Sequence, residues 1–302
     1  MQVVFEQVLL LMAFIVIGYL LSATGKADKS HSKLLSVLGF YVCLPANLFS
    51  TFAENFNADY LSRKWPLMLV CAVFVVVMYL VGIPLSKLLS KNKYQQAIYR
   101  YSMISPNFGY MGYALARGLF GGEALLDVMM FAIPLTLYTY TLGYCSLTGG
   151  KLSAKRLLNP PNIGMVAGAI VGMTGLVMPK LATDLLGKAV ACMGPVSMLL
   201  TGMVISEYNM KKMLTNKPVY AMAVLRLLVI PMGVCGILRL LGLEFAVLPA
   251  MTLLCVSCGL NTIVFPKLVD EDCSTGAALA CLSSILCCVT IPLCFWVFGL
   301  QV

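Results

Sequence analysis

Long apolar runs alternate with short polar clusters along the whole chain, and the runs are of similar length. Each is close to the roughly 20 residues that match the hydrocarbon core of a bilayer. Ten such runs are predicted as membrane-spanning helices, at about 3–22, 33–53, 66–86, 97–117, 124–147, 161–179, 183–206, 218–239, 244–266 and 274–299. Little chain lies between them, so a soluble catalytic or nucleic-acid-binding domain has no room. The expected fold class is an all-α polytopic membrane protein. The first run has no basic segment ahead of it, carries Glu6, and is too long for the apolar core of a cleaved signal. It reads as the first span.

Composition strengthens this picture. The 302 residues are 60% hydrophobic and 11% charged, where a soluble domain carries about a quarter charged residues. The net charge of +9 reads as topology rather than as a sign of an acidic partner. Most of the Lys and Arg fall in the odd-numbered loops between spans, Lys26, Lys87, Lys151, Lys211 and Lys212 among them, and few in the even ones. The positive-inside rule then places the odd loops in the cytoplasm and both termini outside. Loop nine runs against the trend, because Asp270, Glu271 and Asp272 outweigh Lys267, but acidic residues count little in this rule. The twelve cysteines lie mostly in apolar runs and read as small packing residues, Cys255 and Cys258 included. Disulfides are not expected. His31 sits in a basic loop and reads as a solvated residue.

The basic, Gly-containing segment TGGKLSAKRLLNPPN at 148–162 divides the chain into two halves of five spans each. An odd number of spans per half sets the halves in opposite orientations, so the expected domains are inverted repeats at 1–148 and 161–302 with a cytoplasmic linker at 149–160. The halves echo each other weakly. Paired leucines at 34–35 precede Pro45, and paired leucines at 185–186 precede Pro195. Asn107 precedes an Ile-Pro-Leu at 133–135, and Asn261 precedes another at 291–293.

The fourth run contains SPNFGYMGYAL at 105–115. Pro106 removes a backbone donor and clashes with the preceding turn. Gly109 and Gly112 permit unwinding or close approach, and Asn107 places an amide beside the freed backbone. The ninth run contains SCGLNTIVFP at 257–266, with Gly259, Asn261 and Pro266. A break inside a bilayer is tolerated only where the freed groups are buried in protein or line a wet cavity. Two broken segments at corresponding places in inverted halves point to a transporter binding site, whose half-helix N-termini favour an anion. The competing reading is close helix packing through small residues.

Two further polar residues lie inside apolar runs. Arg226 in span eight is either a counter-ion for an anionic substrate or a structural arginine bonded to backbone carbonyls. Asn47 in span two either meets substrate or bridges helices. All twelve Asp and Glu fall near span ends or in loops. A sodium–proton exchanger would normally hold one at the membrane centre. The residues offer no nucleophile with a base, no paired central aspartates, no metal-binding His-Glu pattern and no phosphate-binding loop, so neither an intramembrane enzyme nor a direct ATP drive is expected. No cofactor is expected; sodium or proton coupling stays open.

The chain resembles the auxin efflux carrier family, which includes plant auxin exporters and bacterial malonate and malate permeases. The likeness runs along almost the whole chain. It is carried by FYVCLPANLFSTFA in span two, NFGYMGYAL in span four, LFGGEALLDV and YTLG after it, KRLLNPPNIGMVAG through loop five and RLLVIP in span eight. The resemblance implies ten helices in two inverted repeats, with broken helices four and nine crossing at the bilayer middle, a plan similar to that of sodium–proton antiporters and bile-acid symporters. It implies elevator-type secondary transport of a small organic anion across the plasma (inner) membrane. Spans 1, 2, 6 and 7 form the scaffold, through which a homodimer is open. Lipid and the anion are the partners implied; nucleic acid is not. Asn107 and Asn261 match the family's crossover asparagines. Ala114 stands where the family has a proline, and Ser257 to Asn261 lack its paired prolines. The expected substrate site is therefore Asn107, Asn261, Gly109, Gly259, Asn47 and Arg226, with Pro106, Gly112 and Pro266 at the breaks. A cation exchanger of similar fold and a membrane sensor without transport are the alternatives.

Overall fold

The computed structural model describes residues 2–151, 154–207, 217–267, 269 and 271–300. Lys211, Lys212 and Asp270, used above for topology, lie outside the described residues. The described residues form helices and no strand beyond a single antiparallel bridge.

In chain order the helices are α1 (Gln2–Ala23), α2 (Ser30–Asn55), α3 (Ala58–Lys64) and α4 (Pro66–Leu89), then α5 (Lys93–Ile104) and α6 (Phe108–Thr148). The second half holds α7 (Pro160–Thr174), α8 (Lys180–Ser206), α9 (Lys217–Leu240), α10 (Glu244–Leu254), α11 (Asn261–Lys267) and α12 (Ser274–Val297). Their starts are written locally. Asp28 caps the segment that becomes α2, accepting from the backbone N–H groups of Ser30 and His31, while the His31 ring closes back on it at 2.9 Å. The Ser30 hydroxyl and the His31 ring hold the Asp28 carboxyl well below the usual carboxylate range. His31 is thus exposed, as expected, but it also completes a helix cap. Asn57, Asn92 and Asn159 cap α3, α5 and α7 in the same way. Pro160 and Pro161 open α7, where a missing N–H costs nothing.

Seven helices, α1, α2, α4, α6, α8, α9 and α12, are long and apolar enough to cross a membrane. Helix α6 runs 41 residues, about 60 Å at 1.5 Å per residue, and is broken at Gly121, whose φ of 81° is open to glycine. Three expected spans are not single long helices. Residues 97–117 are divided between α5 and the start of α6, residues 244–266 between α10 and α11, and residues 161–179 are met by the 15-residue α7. On α4, Leu69, Val73, Val76 and Leu80 form an exposed stripe at helical spacing. Such a stripe suits lipid and would be a liability in water.

Helix α1 lies along α8, and α2 along α7, at backbone contact. A Cβ on Gly202 would run into the Ile15 carbonyl and stand 2.7 Å from the Tyr19 nitrogen. One on Gly164 would stand 2.7 Å from the Pro45 carbonyl oxygen, and ones on Gly168 and Gly172 would meet the Phe49 and Phe56 carbonyls. Small residues let helices associate where lipid supplies no hydrophobic drive. The remaining helices pack as a second group: α4 against α5 and α6, α10 against α6 and α9, and α12 against α9. All twelve cysteines are free, and most are buried, as packing residues should be.

One polar clamp fixes α3. Asp127 on α6 accepts from the Tyr60 hydroxyl and pairs with Lys64 at 2.6 Å, the lysine side chain being 34% exposed. Asp127→Asn is expected to lower stability by about 1 kcal/mol, discounting for solvent at the lysine. Asp59→Asn, which breaks the fully surface pair with Arg63, is expected to leave thermal unfolding unchanged. Equal unfolding midpoints for the two variants would show that the clamp contributes nothing.

Candidate functional site

The two helix breaks meet. Helix α5 stops at Ile104, with the Ser105 N–H still donating to the Tyr101 carbonyl at 2.8 Å. Pro106 cannot continue the ladder, and it pairs instead in the antiparallel bridge with Cys258. The Asn107 N–H donates to the Ser257 carbonyl at 2.9 Å, and the Cys258 N–H donates to the Ser283 hydroxyl on α12 at 2.9 Å. These two freed N–H groups therefore find partners within the protein. Helix α6 then starts at once, the Asn107 carbonyl accepting from the Met111 and Gly112 N–H groups at 3.0 Å each.

Across the bridge, the non-helical segment 255–260 separates α10 from α11. A Cβ on Gly259 would stand 3.1 Å from the Pro106 oxygen and 3.2 Å from the Ser105 oxygen. The crossing thus needs glycine for backbone proximity rather than for an unusual φ. Asn261 opens α11, and its amide donates to the Tyr101 hydroxyl at 3.1 Å. Tyr101 is fully buried, stacks obliquely on Tyr138, and lies near the Ser105–Thr139 hydroxyl pair at 2.9 Å.

A narrow cleft lies at this crossing. Pro106, Asn107, Gly109, Gly259 and Asn261 all line it. Asn107 is 4% exposed and makes no side-chain cap bond, which leaves its amide for the cleft. The first turn of α6 starts here too, and a helix N-terminus carries partial positive charge. The other polar lining is hydroxyl and amide: Tyr110, Tyr113, Thr136, Tyr140 and Asn162. No carboxylate and no histidine lines the cleft, and no cluster of metal-ligating side chains exists among the described residues. The lining thus offers amide and hydroxyl groups and helix-terminal N–H groups to the cleft.

Four expected positions fall elsewhere. Gly112 is not at the break; it sits in the first helical turns of α6, where a Cβ would stand 2.9 Å from the tip of Leu253 and 3.6 Å from the Phe108 Cβ. Pro266 lies near the end of α11, its carbonyl accepting from the Val269 and Glu271 N–H groups. The second break sits upstream of it because Ser283 and Asn107 replace the lost ladder partners, and no proline is required. Arg226 is fully buried behind the crossing, away from the cleft, and its Nη1 donates to the Leu254 carbonyl at the end of α10. That contact offsets the negative end of a half-helix, while the Arg226 Nε and Nη2 are buried with no hydrogen-bond partner. Asn47 lines a neighbouring pocket rather than the cleft. Sequence reasoning missed Tyr101, Tyr110, Tyr140, Thr136 and Asn162. Asn162, Tyr110 and Tyr140 all lay inside quoted motifs, yet nothing in spacing marked them, or Tyr101, as lining a cleft.

The chain matches the family described as membrane transport protein over residues 3–154 and 145–295. A Methanocaldococcus jannaschii protein named as an uncharacterized transporter is 28% identical over 158 residues, 51% of this chain and 50% of that one, so the match spans about half of each. A Methanothermobacter thermautotrophicus protein, likewise named as an uncharacterized transporter, is 23% identical over 302 residues, 95% of this chain and 96% of its own. With apolar helices of membrane length around two crossed half-helices, these matches place the chain in the membrane transport protein family, that of the auxin efflux carriers.

Proposed function

We propose that the chain is a secondary carrier of small organic anions, mono- or dicarboxylates, and not an enzyme. The observation that carries this reading is the crossing itself: two broken helices bridged at Pro106 and Cys258, with Asn107 and Asn261 on one cleft. The side-chain amides of Asn107 and Asn261, with the backbone near Gly109 and Gly259, hold the carboxylate near mid-membrane. The lack of a carboxylate in the cleft lining weighs against cation exchange.

The same reading takes the ten runs as ten spans in two inverted repeats, 1–148 and 161–302, with both termini outside the inner membrane. Its support is a correspondence between the halves. Exchanging the repeats turns the α1–α8 pair into the α7–α2 pair, and glycines meet backbone carbonyls in both. Helices α1, α2, α7 and α8 are then the scaffold, through which two copies associate, and the second helix group moves against it as an elevator.

Uptake of labelled malonate, malate and indole-3-acetate into proteoliposomes, each with and without sodium, proton and voltage gradients, tests the reading. Saturable flux of at least one anion is expected, and the gradient that drives it identifies the coupling. Absence of flux under every gradient, in protein shown to be folded, would overturn it.

A further inference from the structure

Asn47 is 1% exposed, and neither its Oδ1 nor its Nδ2 has a hydrogen-bond partner. A buried amide without partners is costly, and such groups call for an explanation. Asn47 lines a second pocket, bounded by Leu10 and Phe14 of α1, Tyr113, Ala114, Arg117 and Gly118 of α6, and Met193 and Pro195 of α8. The lining includes one charged side chain, Arg117. Its Nη2 donates to the Thr51 hydroxyl at 3.1 Å, while its Nε is buried with no partner. No carboxylate lies within 4 Å of it among the described residues; Glu54 acts on it only from farther away. Arg63 and Arg239 have acidic partners, whereas Arg226 shares with Arg117 the lack of one among the described residues but does not line this pocket.

A guanidinium without a carboxylate partner and an unpartnered amide, lining one pocket whose other polar residue is Tyr113, have the donors to receive an anion, and the planar fork of arginine suits a carboxylate. The pocket's place in the fold gives the anion a route. Tyr113 lines both this pocket and the crossing cleft. Asn107 and Arg117 are ten residues apart, about 15 Å along α6. The cleft reaches Asn162 in the first turn of α7, whereas the pocket reaches Gly118, just before the Gly121 break. Along the first turns of α6 the cleft is met at 107–113 and the pocket between 113 and 118, nearer Gly121.

We infer that Asn47 and Arg117 form a second carboxylate-binding site, through which the anion passes between the crossing and the end of the bundle that holds Gly121. This rests on the carrier reading above. The test uses right-side-out and inverted membrane vesicles containing the full chain, with labelled malonate, malate and indole-3-acetate as probes. For whichever probe the wild type moves, Arg117→Gln and Asn47→Leu are expected to raise the half-saturating concentration about tenfold or more from one face. From the other face the change should stay under about threefold. Should Arg117→Gln fail to fold, Arg117→Lys, which keeps the charge and loses the fork, is read in its place, with a rise of about threefold expected at the same single face. Unchanged values, or equal changes from both faces, would overturn this site and leave the carrier reading standing. A wild type that moves none of the three probes would overturn the carrier reading and this site with it.

Discussion

Asn107→Ala is expected to cut carboxylate uptake to a tenth or less while the protein stays folded. The two halves of that expectation have separate physical grounds. The asparagine amide lines the cleft and makes no cap bond, so removing it costs the fold little. Its backbone N–H, which ties the crossing to Ser257, is kept in the variant. A hydrogen bond from an amide to a charged ligand contributes about 1.5–3 kcal/mol, roughly a ten- to hundredfold loss in affinity. Asn261→Ala removes a second donor and also the bond to Tyr101, so it should lose flux and about 1 kcal/mol of stability. Uptake and thermal unfolding, measured on the same preparations, separate the two effects. Wild-type flux in Asn107→Ala would remove that residue from the site.

The largest effect on the fold is expected from Gly202→Ala. A methyl group there would collide with the Ile15 carbonyl and crowd the Tyr19 nitrogen of α1. Backbone cannot swing aside as a flexible side chain can, so α1 and α8 must separate along their length. The expected loss is about 3 kcal/mol, the upper end of ordinary overpacking. Gly236→Ala on α9 is the control, with nothing within 4 Å of its added methyl. It should be neutral or stabilise by up to about 1 kcal/mol, through helix propensity alone. Opposite signs in detergent unfolding would confirm that backbone contact holds α1 to α8. A neutral Gly202→Ala would show that the helices have room to shift.

Much of the candidate site was legible in the chain. Pro106 inside an apolar run marks a break because proline acts on its own turn, whatever surrounds it. Asn107, Gly109, Gly259 and Asn261 were found by the same local logic and by family likeness. Pro266 misled for the converse reason: the second break needs no proline when Ser283 takes up the N–H of Cys258. Arg226 carried two readings in sequence, and its bond to the Leu254 carbonyl, which only packing brings near, supports the structural one. Arg117 read as a loop charge near the end of a run, yet it lines a pocket beside Asn47.

The sequence by itself determined the helical, membrane-embedded character of the protein, the position of the first break, and the amides beside both. These depend on hydrophobic length and backbone freedom, properties of neighbouring residues. Only the tertiary structure decided that the breaks cross, which groups satisfy their freed backbone, that Tyr101 meets Asn261, and that Asn47 and Arg117 line one pocket. Each of these joins residues far apart in the chain, and such a contact exists only once the helices have packed.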